Sequence, residues 1–153
     1  MKGKLETEMA MKNLFLLDGV AGTGKSDCIK YIQDGYRGEH TAGVLQKYTT
    51  RPPRKEEENK NYKIDLEFIS QSEFDKIKTE EGTNFLSYRY GDDTYGYYMY
   101  GIKKSDIDIA LSKYENVFLI IRNIKCIKTM ENIYKNQGIS DSRVYLFGSN
   151  KSY

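Results

Sequence analysis

The feature that most constrains this chain is a short apolar run that breaks into glycines. Asn13 to Asp18, NLFLLD, is followed at once by Gly19, Val20, Ala21, Gly22, Thr23, Gly24, Lys25 and Ser26. Gly19, Gly24, Lys25 and Ser26 stand at the spacing G-x-x-x-x-G-K-[ST]. An apolar run bounded by turn signals reads as a strand buried on both faces, the habit of a parallel sheet. After the glycines, SDCIKYIQDGY puts Cys28, Ile29 and Ile32 at helical spacing, and Gly35 supplies a stop. Strand, glycine loop and helix in that order give the spacing chemical meaning. The glycines let backbone N–H groups curl around an anion at a helix N-terminus. Lys25 would reach the β- and γ-phosphates of a nucleotide, and Ser26 would ligate Mg²⁺.

The rest of the chain bounds what such a loop can serve. Its 153 residues suit one domain. With 24 basic and 22 acidic side chains there is no wholesale attraction to nucleic acid or a membrane, and neither is expected as a partner. Two cysteines, Cys28 and Cys126, make no disulfide framework and no metal-ligand spacing, so a reduced, cytoplasmic compartment is the default. The charged start, MKGKLETEMAMKN, lacks the apolar run of a signal peptide, and residues 1–12 read as a tail. No segment approaches the ~20 apolar residues of a transmembrane helix. The oligomeric state stays open.

Further along, Val44 to Thr50 reads as a second strand running into RPPRKEEENKNYK, where Pro52 and Pro53 forbid regular structure. IDLEFIS reads as a strand and SEFDKIK as a helix capped by Ser72. Alternating aromatics from Tyr88 to Gly101 around a Gly-Asp-Asp turn predict a hairpin. Tyr88, Tyr90, Tyr95, Tyr97, Tyr98 and Tyr100 would pack across its strands, or some would stack on a base. SDIDIALSKY is helical, NVFLII is a buried strand, IKTMENIYKNQG is a helix ending at Gly138, and VYLFGS is a last strand. Strands alternating with helices behind a phosphate loop predict an α/β sandwich with a mainly parallel sheet.

KYTTRPPRKEE, Lys47 to Glu57, is by itself a stiff basic segment whose arginine forks suit a phosphate or carboxylate. Glu57 follows closely enough to orient Arg54. The order of phosphate loop, TTRPPR and an aromatic YYxYG segment resembles guanylate kinase. The likeness continues through IDLEFISQSEFDKI, YGIKKSDIDIALSKYENVFLII and SRVYLFGSN, from Asn13 to Asn150. It implies a P-loop NTPase-type three-layer sandwich over residues 13–153, with a small mixed β acceptor-nucleotide-binding lobe at about 44–101. It also implies ATP and Mg²⁺ as cofactors, held by residues 19–26, with Ser26 on the metal. The acceptor, GMP or another nucleoside monophosphate, would be gripped at its phosphate by Arg51, Arg54 and Tyr100. Lys25, Arg51 and Arg54 would be the catalytic residues.

The sequence departs from that family at defined places. Ser87 stands where the family reads guanine with a glutamate, and a hydroxyl cannot match a carboxylate's grip on two N–H donors. Lys47 and Ile102 replace small hydroxyl residues. Leu66 replaces a phosphate-binding tyrosine, for which Tyr62 would substitute. Ile120 and Arg122 replace strand carboxylates that serve the metal and acceptor, with Asp18 as a possible replacement. The family continues past the position of Tyr153 into an arginine-bearing lid, so the chain is expected to be part of a longer protein or to work lidless. His40, the sole histidine, reads as a surface or loop residue. The resulting expectation is a nucleoside monophosphate kinase of the guanylate kinase type. Its alternative is a degenerate domain of that kind, binding a nucleotide or a protein partner with little or no catalysis.

Overall fold

The computed structural model of the chain describes residues 12–18, 42–58, 65–135 and 140–145. The strands among them are β1 (Asn13–Asp18), β2 (Ala42–Val44), β3 (Lys47–Thr49), β4 (Leu66–Phe68), β5 (Phe85–Asp92), β6 (Gly96–Lys103), β7 (Asn116–Ile120) and β8 (Ser140–Tyr145). The helices are α1 (Gln71–Glu81), α2 (Lys104–Lys113) and α3 (Ile124–Lys135). No helix among the described residues is long and apolar enough to cross a membrane. The chain divides into two compact units. One runs from Gln46 to Asp108, and the flanking segments, up to Leu45 and from Ile109, form the other.

The flanking unit carries a wholly parallel sheet in the order β2-β7-β1-β8. β1 is interior, bonded to β7 on one edge and β8 on the other, so its side chains need apolar surroundings on both faces. Leu14, Leu16, Val117 and Leu119 are fully buried. Phe15 and Phe118, opposite in register, stack at 4.9 Å between ring centroids. At the strand starts, the Asn13 amide donates to Asn116 Oδ1 at 3.1 Å. α3 buries Cys126, Ile127, Met130 and Tyr134, a one-sided stripe at helical spacing, and lies against β8. Asn123 begins α3 by accepting the Cys126 N–H at 3.0 Å.

The Gln46–Asp108 unit holds a mixed sheet in the order β4-β3-β6-β5, parallel between β3 and β4 and antiparallel elsewhere. Its hairpin turns where the Asp92 carboxylate accepts the N–H groups of Thr94 and Tyr95, and Gly96 takes φ of 89°. α1 opens with a capping box between Ser70 and Glu73 and drops Phe74 edge-on against Phe85, centroids 5.1 Å apart. The Phe85 ring sits over Gly101, where a Cβ would meet it at 2.2 Å, so glycine is needed for this close approach.

Three expectations are corrected. The single strand over Val44–Thr50 is two, β2 in the parallel sheet and β3 in the mixed one, parted at Leu45–Gln46. Leu45 turns inward and its N–H donates to Phe118, while Lys47 N–H donates to Asp65 in the other sheet. Ser70 caps α1 rather than Ser72, because Glu73 stands three residues after Ser70 and closes the box. The last strand begins at Ser140 rather than Val144, in register with β1 from Asn13↔Ser140 to Asp18↔Tyr145, and residues 146–149 of the expected strand lie outside the described residues.

Phe74→Ala should cost about 3–5 kcal/mol, the range for truncating a buried aromatic. Denaturant unfolding measures it, and a loss under about 1 kcal/mol would show that α1 does not anchor this sheet.

Candidate functional site

The sheet register sorts the side chains of the mixed-sheet unit onto two faces. Thr49 pairs with Tyr100 and Tyr88 pairs with Tyr100, so these three leave one face, and alternation places Lys47 there too. Tyr48, Gly101 and Ser87 form the adjacent rank and leave the other face. The structure therefore brings Tyr100 and Lys47 together and directs Ser87 away from them.

On the first face, Tyr100 stacks on Tyr88 at 5.6 Å and meets Tyr90 edge-on at 6.3 Å. Lys47 is buried, its ammonium 3.4 Å from Asp65 Oδ2 and 5.9 Å from the Tyr100 ring centre. Burial pushes the Lys47 ammonium below its ordinary pKa, against the opposing pull of Asp65. No sequence signal links Lys47 to Asp65, because the two meet only through the parallel pairing of β3 with β4.

The arginine segment leaves this sheet under tight control. Thr49 Oγ1 donates to the Met99 carbonyl at 3.0 Å and accepts the Arg51 N–H at 3.1 Å. The Thr50 hydroxyl accepts the Met99 N–H at 3.0 Å. Arg51 then folds back over Phe68, 5.4 Å from its ring centre, and donates from Nη1 and Nη2 to the two Glu57 oxygens at 2.8 and 3.0 Å. Glu57 Oε1 also accepts the Arg54 backbone N–H at 2.8 Å. Glu57 thus grips the side chain of Arg51, where the sequence suggested Arg54, whose side chain is exposed. An arginine six residues away can close a bidentate pair only if the chain turns back, and the 3₁₀ turn Lys55–Glu58 provides that reversal.

Electrostatics follow the geometry. Burial alone would lower the Arg51 pKa, but hydrogen bonds and charge from Glu57, with a further bond to Tyr100, raise it. Burial alone would raise Glu57, yet Arg51 and the Arg54 N–H hold it below the usual carboxylate value. Arg51, over Phe68, lies on the face that carries Tyr100, and Arg54 is exposed to solvent. On the opposite face an open cleft of about 420 Å³ is lined by Arg89, Tyr97, Met99, Thr50 and the start of α1. There the Arg89 guanidinium lies 4.5 Å over the Tyr97 ring.

Gly19 to Ser26, with Lys25 among them, and Tyr62 lie outside the described residues. β1 does fix where the glycine segment begins. It occupies the point in the parallel sheet at which successive strands switch from one side to the other, the place where α/β sheets bind ligands beyond their strand ends. At the end of β7, Ile120 is buried, and Arg122 follows two residues later.

An interior β1 leading to the glycine segment, a parallel sheet and a separate mixed sheet define an α/β fold compatible with the P-loop kinases. No family model matches the chain, and no curated protein matches it in sequence. Among solved structures, guanylate kinase from Anaplasma phagocytophilum is similar, with a TM-score of 0.55 at 12% identity. The likeness covers 88% of this chain and 60% of that one, so the chain spans less than two thirds of its length. At this identity the likeness speaks for the fold, which is guanylate kinase-like.

Protonating Glu57 should loosen the arginine turn. Its carboxylate titrates below the ordinary value of 4.5 when folded, so its contribution is complete above pH 4.5 and is lost as pH falls below it. Thermal midpoints from neutral to acid pH should show a shallower acid loss in Glu57→Gln than in wild type. Identical acid limbs would mean that the Glu57 charge contributes nothing.

Proposed function

We propose that the protein is a nucleoside monophosphate kinase of the guanylate kinase type, moving the γ-phosphoryl of Mg·ATP to GMP or another nucleoside monophosphate. The observation that carries the reading is that Arg51 lies over Phe68, whose register partner Thr49 also pairs with Tyr100, so the guanidinium and Tyr100 share one face of the mixed sheet. Arg51, Arg54 and Tyr100 would take the acceptor phosphate, with Tyr62 as a further donor. Lys25 and the backbone of residues 19–26 would hold ATP. Mg²⁺ takes oxygen ligands and usually keeps waters and substrate phosphates around it, so the Ser26 hydroxyl suits it. The metal would neutralise charge on the transferring group, and the chain's own part is to align the two phosphates and supply N–H donors. A three-layer sandwich over residues 13–153 and a cytoplasmic setting belong to the same reading.

Acceptor choice should differ from guanine-specific enzymes. Ser87 leaves the face opposite Tyr100, and the residues against Tyr100 include Tyr88, Tyr90 and the Lys47 ammonium, with no carboxylate among these. A second reading has its own observation: β7 ends in Ile120 with Arg122 following, where the resemblance calls for carboxylates. A domain without them would bind a nucleotide or a protein partner and turn over little.

Incubation with Mg·ATP and GMP, AMP, CMP or UMP should yield a nucleoside diphosphate. Lys25→Ala and Arg51→Ala should each reduce kcat/KM on the order of a hundredfold or more. Measurable ATP binding without diphosphate above the Lys25→Ala background would sink the kinase reading and leave the binding domain.

A further inference from the structure

We propose that Glu57 is the positioning residue of the acceptor site, holding the Arg51 guanidinium by its end so that the side edge, Nε with Nη2, faces a phosphate dianion. The proposal rests on the reading of Arg51 as a phosphate-binding residue.

A guanidinium offers five N–H donors in a rigid plane. Arg51 Nη1 gives one to Glu57 Oε1 at 2.8 Å and one to the Pro52 carbonyl at 3.2 Å, and Nη2 gives one to Glu57 Oε2 at 3.0 Å. The donors left over are the Nε–H and the outer Nη2–H, which are parallel and share an edge. That pair matches two oxygens of a phosphate. Phe68, under the guanidinium, stands in the same rank as Tyr100 through their common partner Thr49. A phosphate received there would lie on the face that Arg51 shares with Tyr100.

A carboxylate at a phosphate clamp would also suit a competitor that must swing away, and the geometry argues against that role. Glu57 is tied into its own turn, accepting the Arg54 N–H and donating its own N–H to the Arg54 carbonyl, each at 2.8 Å. Pro52 and Pro53 restrict the intervening backbone. Glu57 occupies the end of the fork and leaves the side edge clear. The Arg51 side chain is 13% exposed and rests over Phe68, so the guanidinium is braced on its face as well as its end. Bracing matters because a small misplacement of a clamp residue can cost on the order of a hundredfold in rate.

The test titrates GMP, AMP, CMP, UMP and inorganic phosphate into the full chain, Glu57→Gln and Glu57→Ala by calorimetry. In parallel the Arg51 Nε–H signal is followed by heteronuclear NMR. Glu57→Gln keeps an oxygen for the Arg54 N–H, so it decides the matter if Glu57→Ala fails to fold. The expected result is a rise in nucleotide Kd on the order of tenfold with Mg·ATP affinity unchanged, the Nε–H signal moving from a fixed to an averaged position. Tighter nucleotide binding in the variants would make Glu57 a competitor and overturn the proposal, and so would an unaltered Nε–H signal. A wild type that binds no monophosphate overturns the acceptor reading instead, while the Nε–H comparison still decides whether Glu57 holds Arg51.

Discussion

An interior parallel strand has neighbours on both edges and layers on both faces, and β1 meets that demand with residues that leave little freedom. Leu14 and Leu16 are fully buried, Leu17 nearly so, and Phe15 stacks on its register partner Phe118. Polar residues stand only at its ends, Asn13 and Asp18. Each β1 residue is matched with β8, and all but the last with β7. The Leu17 carbonyl takes its bond from Ile121, just past the end of β7. After Asp18 the sequence turns at once to glycine. β1 is the strand around which the parallel sheet reverses, and the glycine-rich sequence follows it directly.

In the mixed-sheet unit the corresponding constraint is register. A slip of one residue in β3 would move Lys47 and Thr49 to the face where Phe85 packs on Phe74, placing an ammonium in an apolar layer. In the observed register Lys47 has a carboxylate at 3.4 Å and an aromatic face at 5.9 Å. Such a pair costs desolvation that its attraction only partly offsets, and so adds little net stability. What it specifies is which face β3 shows, and with it the takeoff of the arginine segment from Thr49 and Thr50.

Much of this was legible in the sequence because the signals were local. The run NLFLLD, the alternating tyrosines and the one-sided apolar spacing of α3 each need only neighbours along the chain to be read, and each forms the expected element. The rest depended on tertiary partners. Val44 to Thr50 carries uniform strand character, and only the competing bonds to Phe118 and Asp65 split it between two sheets. Ser70 and Ser72 both precede apolar residues, and the Glu73 side chain chooses between them. Glu57 lies nearer Arg54 in sequence, yet the 3₁₀ turn points its oxygens at Arg51. Ser87 looked like a base-facing position by resemblance, while its face is set by pairing with Gly101, which a linear sequence does not display.

On the proposed reading, the arrangement of charge bears on what kind of clamp the arginine segment would form. Phosphate recognition by point charges alone would leave cations unpaired near the ligand, but Lys47 and Arg51 each already face a carboxylate. Their pairing offsets the long-range pull that these two cations would otherwise exert on an anion. What Arg51 itself keeps is directional: the side edge of its guanidinium, on the face it shares with Tyr100. Such a set favours a ligand whose oxygens match its spacing over one that is merely negative. It also separates holding from reacting. On the proposed reading, acceptor residues could be fully formed in a chain whose β7 ends without a carboxylate, because aligning one phosphate and neutralising the transferring one are tasks for different side chains.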